Sequence, residues 1–101
     1  MAKELPFTFA QAAAWRSTWP TPFYVYDEAG ITKCVNDLYK AFSWNPGFRE
    51  YFAVKATPTP GILRLLHSLG CGADCASIPE LMLAERSGIT GQEIMFSSNE
   101  T

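Results

Sequence analysis

Apolar residues recur along this chain with two alternating periods. In residues 8–15 the pattern is compatible with a short helix, and Thr8 and Gln11 have the spacing of a capping box; Pro20 and Pro22 stop it. Residues 21–27, Thr21-Pro22-Phe23-Tyr24-Val25-Tyr26-Asp27, read as a strand. From 28 to 43 the apolar positions Ile31, Val35, Leu38, Tyr39 and Phe42 recur at helical spacing, and Asn45-Pro46-Gly47 ends the pattern. The same unit then repeats. Residues 51–56 are a predicted strand, followed by a helix with Ile62, Leu65, Leu66 and Leu69 on one face and Gly70 as its stop. Residues 72–76 form a short predicted strand. Pro79 fits the first position of a helix carrying Leu81, Ala84 and Glu85 and ending near Gly88, and residues 93–97 supply another strand. Strands alternating with helices predict a parallel α/β sheet with right-handed crossovers.

Composition narrows the class. With 101 residues, 48% hydrophobic and 18% charged, the chain has enough apolar content for one modest core. A formal net charge of −2 gives no general attraction to nucleic acid or to an anionic membrane, and no basic patch is interleaved with aromatics. No apolar run has the length of a membrane span, and the amino terminus lacks the features of a secretory signal, so a cytoplasmic location is expected. Cys34, Cys71 and Cys75 are an odd set without a disulfide-framework spacing. Cys71 and Cys75 with His67 fall short of a metal-ligand pattern and read as structural thiols. His67 itself reads as a surface or internally satisfied histidine, and Trp15, Trp19 and Trp44 as anchors of packing or of an interface.

The chemistry centres on Lys55. It ends the apolar run Tyr51-Phe52-Ala53-Val54-Lys55, and the chain turns at once through Thr57-Pro58-Thr59-Pro60-Gly61. A lysine at a strand exit can bury its stem while its amine faces a pocket; partial desolvation there favours the neutral, nucleophilic amine. The bland alternative is a lysine reaching from a strand end to solvent. Lys55, Asp74 and Ser97 fall at the carboxyl ends of successive predicted strands, about twenty residues apart, the length a helix-containing crossover requires. In a barrel or in an open doubly wound sheet, those ends are where sites form. Glu80 could reach such a site, although an acid in a first helical turn is already explained by the helix dipole.

Four segments carry a resemblance. Phe52-Ala53-Val54-Lys55-Ala56, then Gly72-Ala73-Asp74-Cys75-Ala76-Ser77 with Pro79-Glu80-Leu81, are similar to the opening of the fold-type III pyridoxal-phosphate-dependent decarboxylases. Thr21-Pro22-Phe23-Tyr24-Val25-Tyr26-Asp27 upstream and Ile94-Met95-Phe96-Ser97-Ser98-Asn99 downstream resemble the same family, most closely its diaminopimelate decarboxylases. The resemblance implies the amino-terminal part of a TIM-like (β/α)8 barrel of the alanine racemase-like type. It also implies pyridoxal 5'-phosphate as cofactor, held by Lys55 as an internal aldimine, with Asp74 as a nearby acid that favours the protonated imine. Ala53 and Ser77 match neighbours of the cofactor pocket, and Asn99 falls in the loop after the third barrel strand. The implied reaction is decarboxylation of an amino acid, meso-diaminopimelate to lysine and carbon dioxide in the closest subfamily.

Departures from the family pattern leave other readings open. Thr57 stands where the family commonly has asparagine, and Ser97 and Ser98 where histidine and glycine often precede the asparagine. An ornithine, arginine or carboxynorspermidine decarboxylase is an alternative, as are a racemase, a non-catalytic cofactor-binding barrel protein and a domain whose partner is another protein. The expected organisation is residues 1–50 as a helix, strand and amphipathic helix leading into the barrel, and 51–101 as its first three strands with two intervening helices. A complete barrel takes roughly 250 residues. The resemblance therefore implies that the remaining barrel and a β-rich carboxyl-terminal domain lie elsewhere in a longer enzyme, and the 101-residue chain is expected to be inactive alone. Its unpaired sheet edge predicts a homodimer or other self-associated form.

Overall fold

The computed structural model describes residues 3–98. Helix α1, Phe9–Thr18, begins at the expected capping box: the Thr8 side chain accepts from the Gln11 backbone N–H at 3.1 Å, and the Thr8 N–H donates to Gln11 Oε1 at 2.8 Å. It buries none of its residues, so its alanine-rich sequence and its cap are what favour the helix locally. Residues 21–27 are not a strand. The segment is rich in β-formers, but no second strand among the described residues pairs with it, and strand propensity without a ladder leaves only irregular chain.

Helix α2, Glu28–Ala41, follows, with the Asp27 carboxylate accepting from the Gly30 N–H at 3.1 Å. The chain clusters into two compact units that divide at Ile31, early in α2. The unit from Thr32 onward holds the sheet. Strand β1 is Tyr51–Ala53, β2 is Gly72–Cys75 and β3 is Ile94–Phe96. Helix α3, Pro60–Ser68, connects the first two strands, and α4, Ile78–Arg86, the last two. All pairings are parallel in the order β1-β2-β3, with Ala53 opposite Asp74 and Asp74 opposite Met95. The parallel β-α-β-α-β order is the one expected of a (β/α)8 segment.

Other details differ from the sequence-based expectation: α2, β2 and β3 are each one or two residues shorter than expected. The first strand is shorter than 51–56: after Ala53 the chain tightens into a 3-10 turn, Val54–Ala56, so Lys55 sits on that turn. On α3 the fully buried positions are Leu63 and Leu66, and Ile62 is only half-buried. Pro79 occupies the second helical position of α4, where its missing N–H is equally harmless, because Ser77 is the cap and Ile78 the first residue.

The core is the layer between sheet and helices. Val54, Leu63, Ala73, Cys75, Ala84 and Ile89 are buried there, with Phe52, Leu81, Leu83 and Ile94 packed against them. Each fully buried branched side chain contributes about 1.5–3 kcal/mol of hydrophobic stabilisation. Gly72 is required by close approach: a Cβ there would lie 2.8 Å from Tyr51 Cδ1 and would run into the Glu93 carbonyl oxygen. Tyr39 of α2 fastens two connections, donating to the Gly70 carbonyl at 2.8 Å and accepting from the Glu50 N–H at 3.1 Å. Its ring meets Phe48 edge-on, and Phe42 stacks on Phe48 with centroids 4.3 Å apart. Among the described residues, no helix is long and apolar enough to cross a membrane.

Candidate functional site

Alternation along β2 separates core from site. Ala73 and Cys75 are fully buried against the helices, so Asp74 between them points to the opposite face of the sheet, where it is half-buried. Register places Ala53 of β1 and Met95 of β3 on either side of Asp74. The ladder continues one residue past β3: the Ser97 N–H donates to the Cys75 carbonyl at 2.9 Å. That bond brings the Ser97 hydroxyl to Asp74, where Oγ donates to Oδ1 at 2.6 Å. The sheet thus joins Ala53, Asp74 and Ser97 at the carboxyl end of its strands.

Lys55 leaves the turn that follows β1. Its side chain is exposed, so the desolvation expected of it is absent from this structure. Among the described residues Lys55 has no hydrogen-bond or ion-pair partner, and no ion pair joins it to Asp74. An unengaged primary amine is the group that condenses with an aldehyde, so this residue fits a pyridoxal cofactor chemically.

Ser77 is engaged locally. It caps α4, accepting from the Glu80 N–H at 3.4 Å and donating to Glu80 Oε2 at 3.0 Å, while Glu80 Oε1 accepts from the Ala76 N–H at 3.0 Å. This reciprocal arrangement accounts for Glu80 as well, and the spacing Ser-x-x-Glu signals it in the sequence. Asn99 lies outside the described residues. His67 is internally satisfied: its Nε2 lies 2.6 Å from Glu93 Oε2, bridging the end of α3 to the turn before β3. Cys71 and Cys75 are buried, and burial pushes both thiols above their ordinary value; the charges of Glu80 and then Asp74 add to the effect on Cys75. The sequence spacing places Ser97 at the same sheet end as Asp74, but neither spacing nor resemblance assigns it to the cofactor pocket.

Residues 28–101 match the family model described as the pyridoxal-dependent decarboxylase pyridoxal binding domain. The chain belongs to the pyridoxal-dependent decarboxylase family. The cofactor of this decarboxylase family is pyridoxal phosphate, and the match runs through all three strands and Lys55. Protein TabA of Pseudomonas amygdali pv. tabaci is 53% identical over 85 residues, which are 84% of this chain and 20% of that protein. A diaminopimelate decarboxylase of Helicobacter pylori is 41% identical over 80 residues, 79% of this chain and 20% of that enzyme. The crystal structure of ornithine decarboxylase from Entamoeba histolytica superposes with a TM-score of 0.76 and 32% identity, covering 90% of this chain and 29% of that one. The chain spans about a fifth of the length of the curated relatives it matches.

Proposed function

We propose that this chain supplies the lysine-bearing part of a pyridoxal-phosphate-dependent amino-acid decarboxylase. Lys55 would hold the cofactor through its aldehyde, and Asp74 would keep negative charge beside the lysine-bound nitrogen so that this nitrogen stays protonated. Ala53, register partner of Asp74, presents only a methyl group on that face and leaves room for a planar ring. Ser77 and Asn99 are assigned to the pocket wall, Ser77 through the rigid cap it makes at the start of α4. When bound, the cofactor supplies an electron sink for the pair left on the substrate carbon as carbon dioxide departs. The observation that carries the reading is a lysine on the turn after β1, without a hydrogen-bond or ion-pair partner among the described residues, on a chain whose residues 28–101 match the pyridoxal-binding domain.

The substrate class we assign is a dibasic amino acid, meso-diaminopimelate first, with lysine and carbon dioxide as products. Similarity to diaminopimelate decarboxylases over 79% of the chain supports that choice. The superposition on an ornithine decarboxylase supports ornithine as the second reading. The test is in two parts. Pyridoxal phosphate added to the full-length protein should produce the visible absorbance of a lysine-bound cofactor, lost in Lys55→Ala. Carbon dioxide release should then be measured with meso-diaminopimelate, ornithine and arginine. Release from the first sustains the primary reading, release from ornithine alone moves the assignment to the second, and release from none removes the decarboxylase.

A further inference from the structure

We infer that Ser97 is a positioning residue for Asp74: it holds one carboxylate oxygen so that the other stays available to the cationic nitrogen at the site. The inference rests on the proposed function and adds to it a residue outside the set assigned there. At 2.6 Å, the Ser97–Asp74 contact is in the range of a charge-assisted O–H···O⁻ bond. Its donor is itself fixed. The Ser97 backbone N–H is tied to Cys75 O at 2.9 Å, so the hydroxyl projects from the ladder and not from a free loop. Asp74 in turn stands between two fully buried residues, which fixes its backbone. Two side chains on anchored backbone therefore meet through one hydrogen bond, 23 residues apart in sequence.

The consequence lies in what remains of the carboxylate. Oδ1 is taken, whereas Oδ2 has no hydrogen-bond partner among the described residues. An unanchored aspartate would spread its charge over several rotamers, weakening its action on any one point. Ser97 confines the carboxylate to one orientation with its second oxygen free. A purely structural hydrogen bond would stabilise the sheet end and leave the ionisation of a lysine-bound nitrogen unchanged; a positioning bond changes that ionisation, and only while Asp74 carries its charge.

The experiment is a spectrophotometric pH titration of the lysine-bound cofactor in the full-length protein, comparing wild type with Ser97→Ala, Ser97→Thr, Asp74→Asn and the Ser97→Ala/Asp74→Asn double variant. Loss of a nearby opposite charge moves such an ionisation by about 1–3 pH units, so Asp74→Asn should lower the midpoint by that order. Ser97→Ala should lower it by less, Ser97→Thr should restore it, and Ser97→Ala should add nothing once Asp74 is asparagine. An unchanged or raised midpoint in Ser97→Ala, or a Ser97 effect that persists in the Asp74→Asn background, overturns the inference. Should Ser97→Ala fail to fold, Ser97→Cys, which keeps the size with a weak donor, must show the same lowered midpoint, and a wild-type midpoint there overturns it. Absence of the visible band in wild type removes the Lys55 reading, and the inference with it. A band that needs Lys55 yet ignores Ser97 removes the inference alone.

Discussion

The two faces of the sheet are made from alternate residues of the same strands and follow opposite rules. On the helix side, Val54, Ala73 and Cys75 are fully buried with Leu63, Ala84 and Ile89. On the other side, Ala53, Asp74 and Met95 lie side by side, half-buried or exposed, and Ser97 joins Asp74 by a hydrogen bond. A strand four residues long thus carries both a core and a site, separated only by the direction of successive side chains. The difference implies that the faces should respond differently to substitution: one in stability, the other in cofactor chemistry.

The largest effect expected is at Leu63, 1% exposed in the middle of the core. Leu63→Ala should cost about 2–5 kcal/mol in urea unfolding, because the removed methyl groups leave a cavity that the rigid sheet cannot close. Lys55→Ala should do the reverse. It removes an exposed side chain without partners among the described residues, so stability should stay within about 0.5 kcal/mol while the visible cofactor band disappears. A Lys55→Ala variant unfolded by several kcal/mol, or a Leu63→Ala variant as stable as wild type, would break the division between the faces.

Smaller effects should come from the cap that links β2 to α4. Ser77→Ala removes both the acceptor for the Glu80 N–H and the donor to Glu80 Oε2, and should cost about 1 kcal/mol. The loss should shrink in a Glu80→Gln background, where the reciprocal bond is already weakened. If Ser77→Ala instead weakens cofactor binding with no change in unfolding, Ser77 belongs to the site more than to the helix start.

Much of the helical structure was legible along the chain, because it rests on local signals. The Thr8 and Gln11 spacing gave the cap of α1, the positions Ile31, Val35, Leu38 and Tyr39 gave a face of α2, and Gly70 with its φ of 101° closes α3 where expected. Residues 21–27 misled because extended structure needs a partner that local sequence does not name. Leu63 was overlooked since Ile62, Leu65, Leu66 and Leu69 form an apolar stripe of their own, and only the direction from which the sheet packs decides which stripe is covered. Lys55 and Asp74 were marked by spacing and resemblance. The Ser97–Asp74 bond was hidden because it depends on cross-strand register, which sets Asp74 beside Met95 and carries the ladder on to Ser97.

The smallest effect links the faces. Burial raises the Cys71 and Cys75 thiols above the ordinary value of 9.0, and the charges of Glu80 and Asp74 raise Cys75 further, so the folded chain keeps protons that the unfolded chain releases. Stability should therefore be level below that ordinary value and fall as pH rises from it through the folded values, since there the native state binds more protons. Tyr39, raised mainly by burial, and Lys33, raised by its bond to Asp37, act with the same sign at higher pH. Urea unfolding from neutral to alkaline pH should show this decline, and it should be shallower when Cys71 and Cys75 are both alanine. Asp74→Asn should flatten it less than Glu80→Gln, because the Asp74 charge is the weaker of the two acting on Cys75. Stability that holds level or rises over that range would mean that these thiols ionise in the folded chain as readily as in the unfolded one. An equal or larger effect of Asp74→Asn would mean that the site face presses on the core at least as strongly as the helix end does.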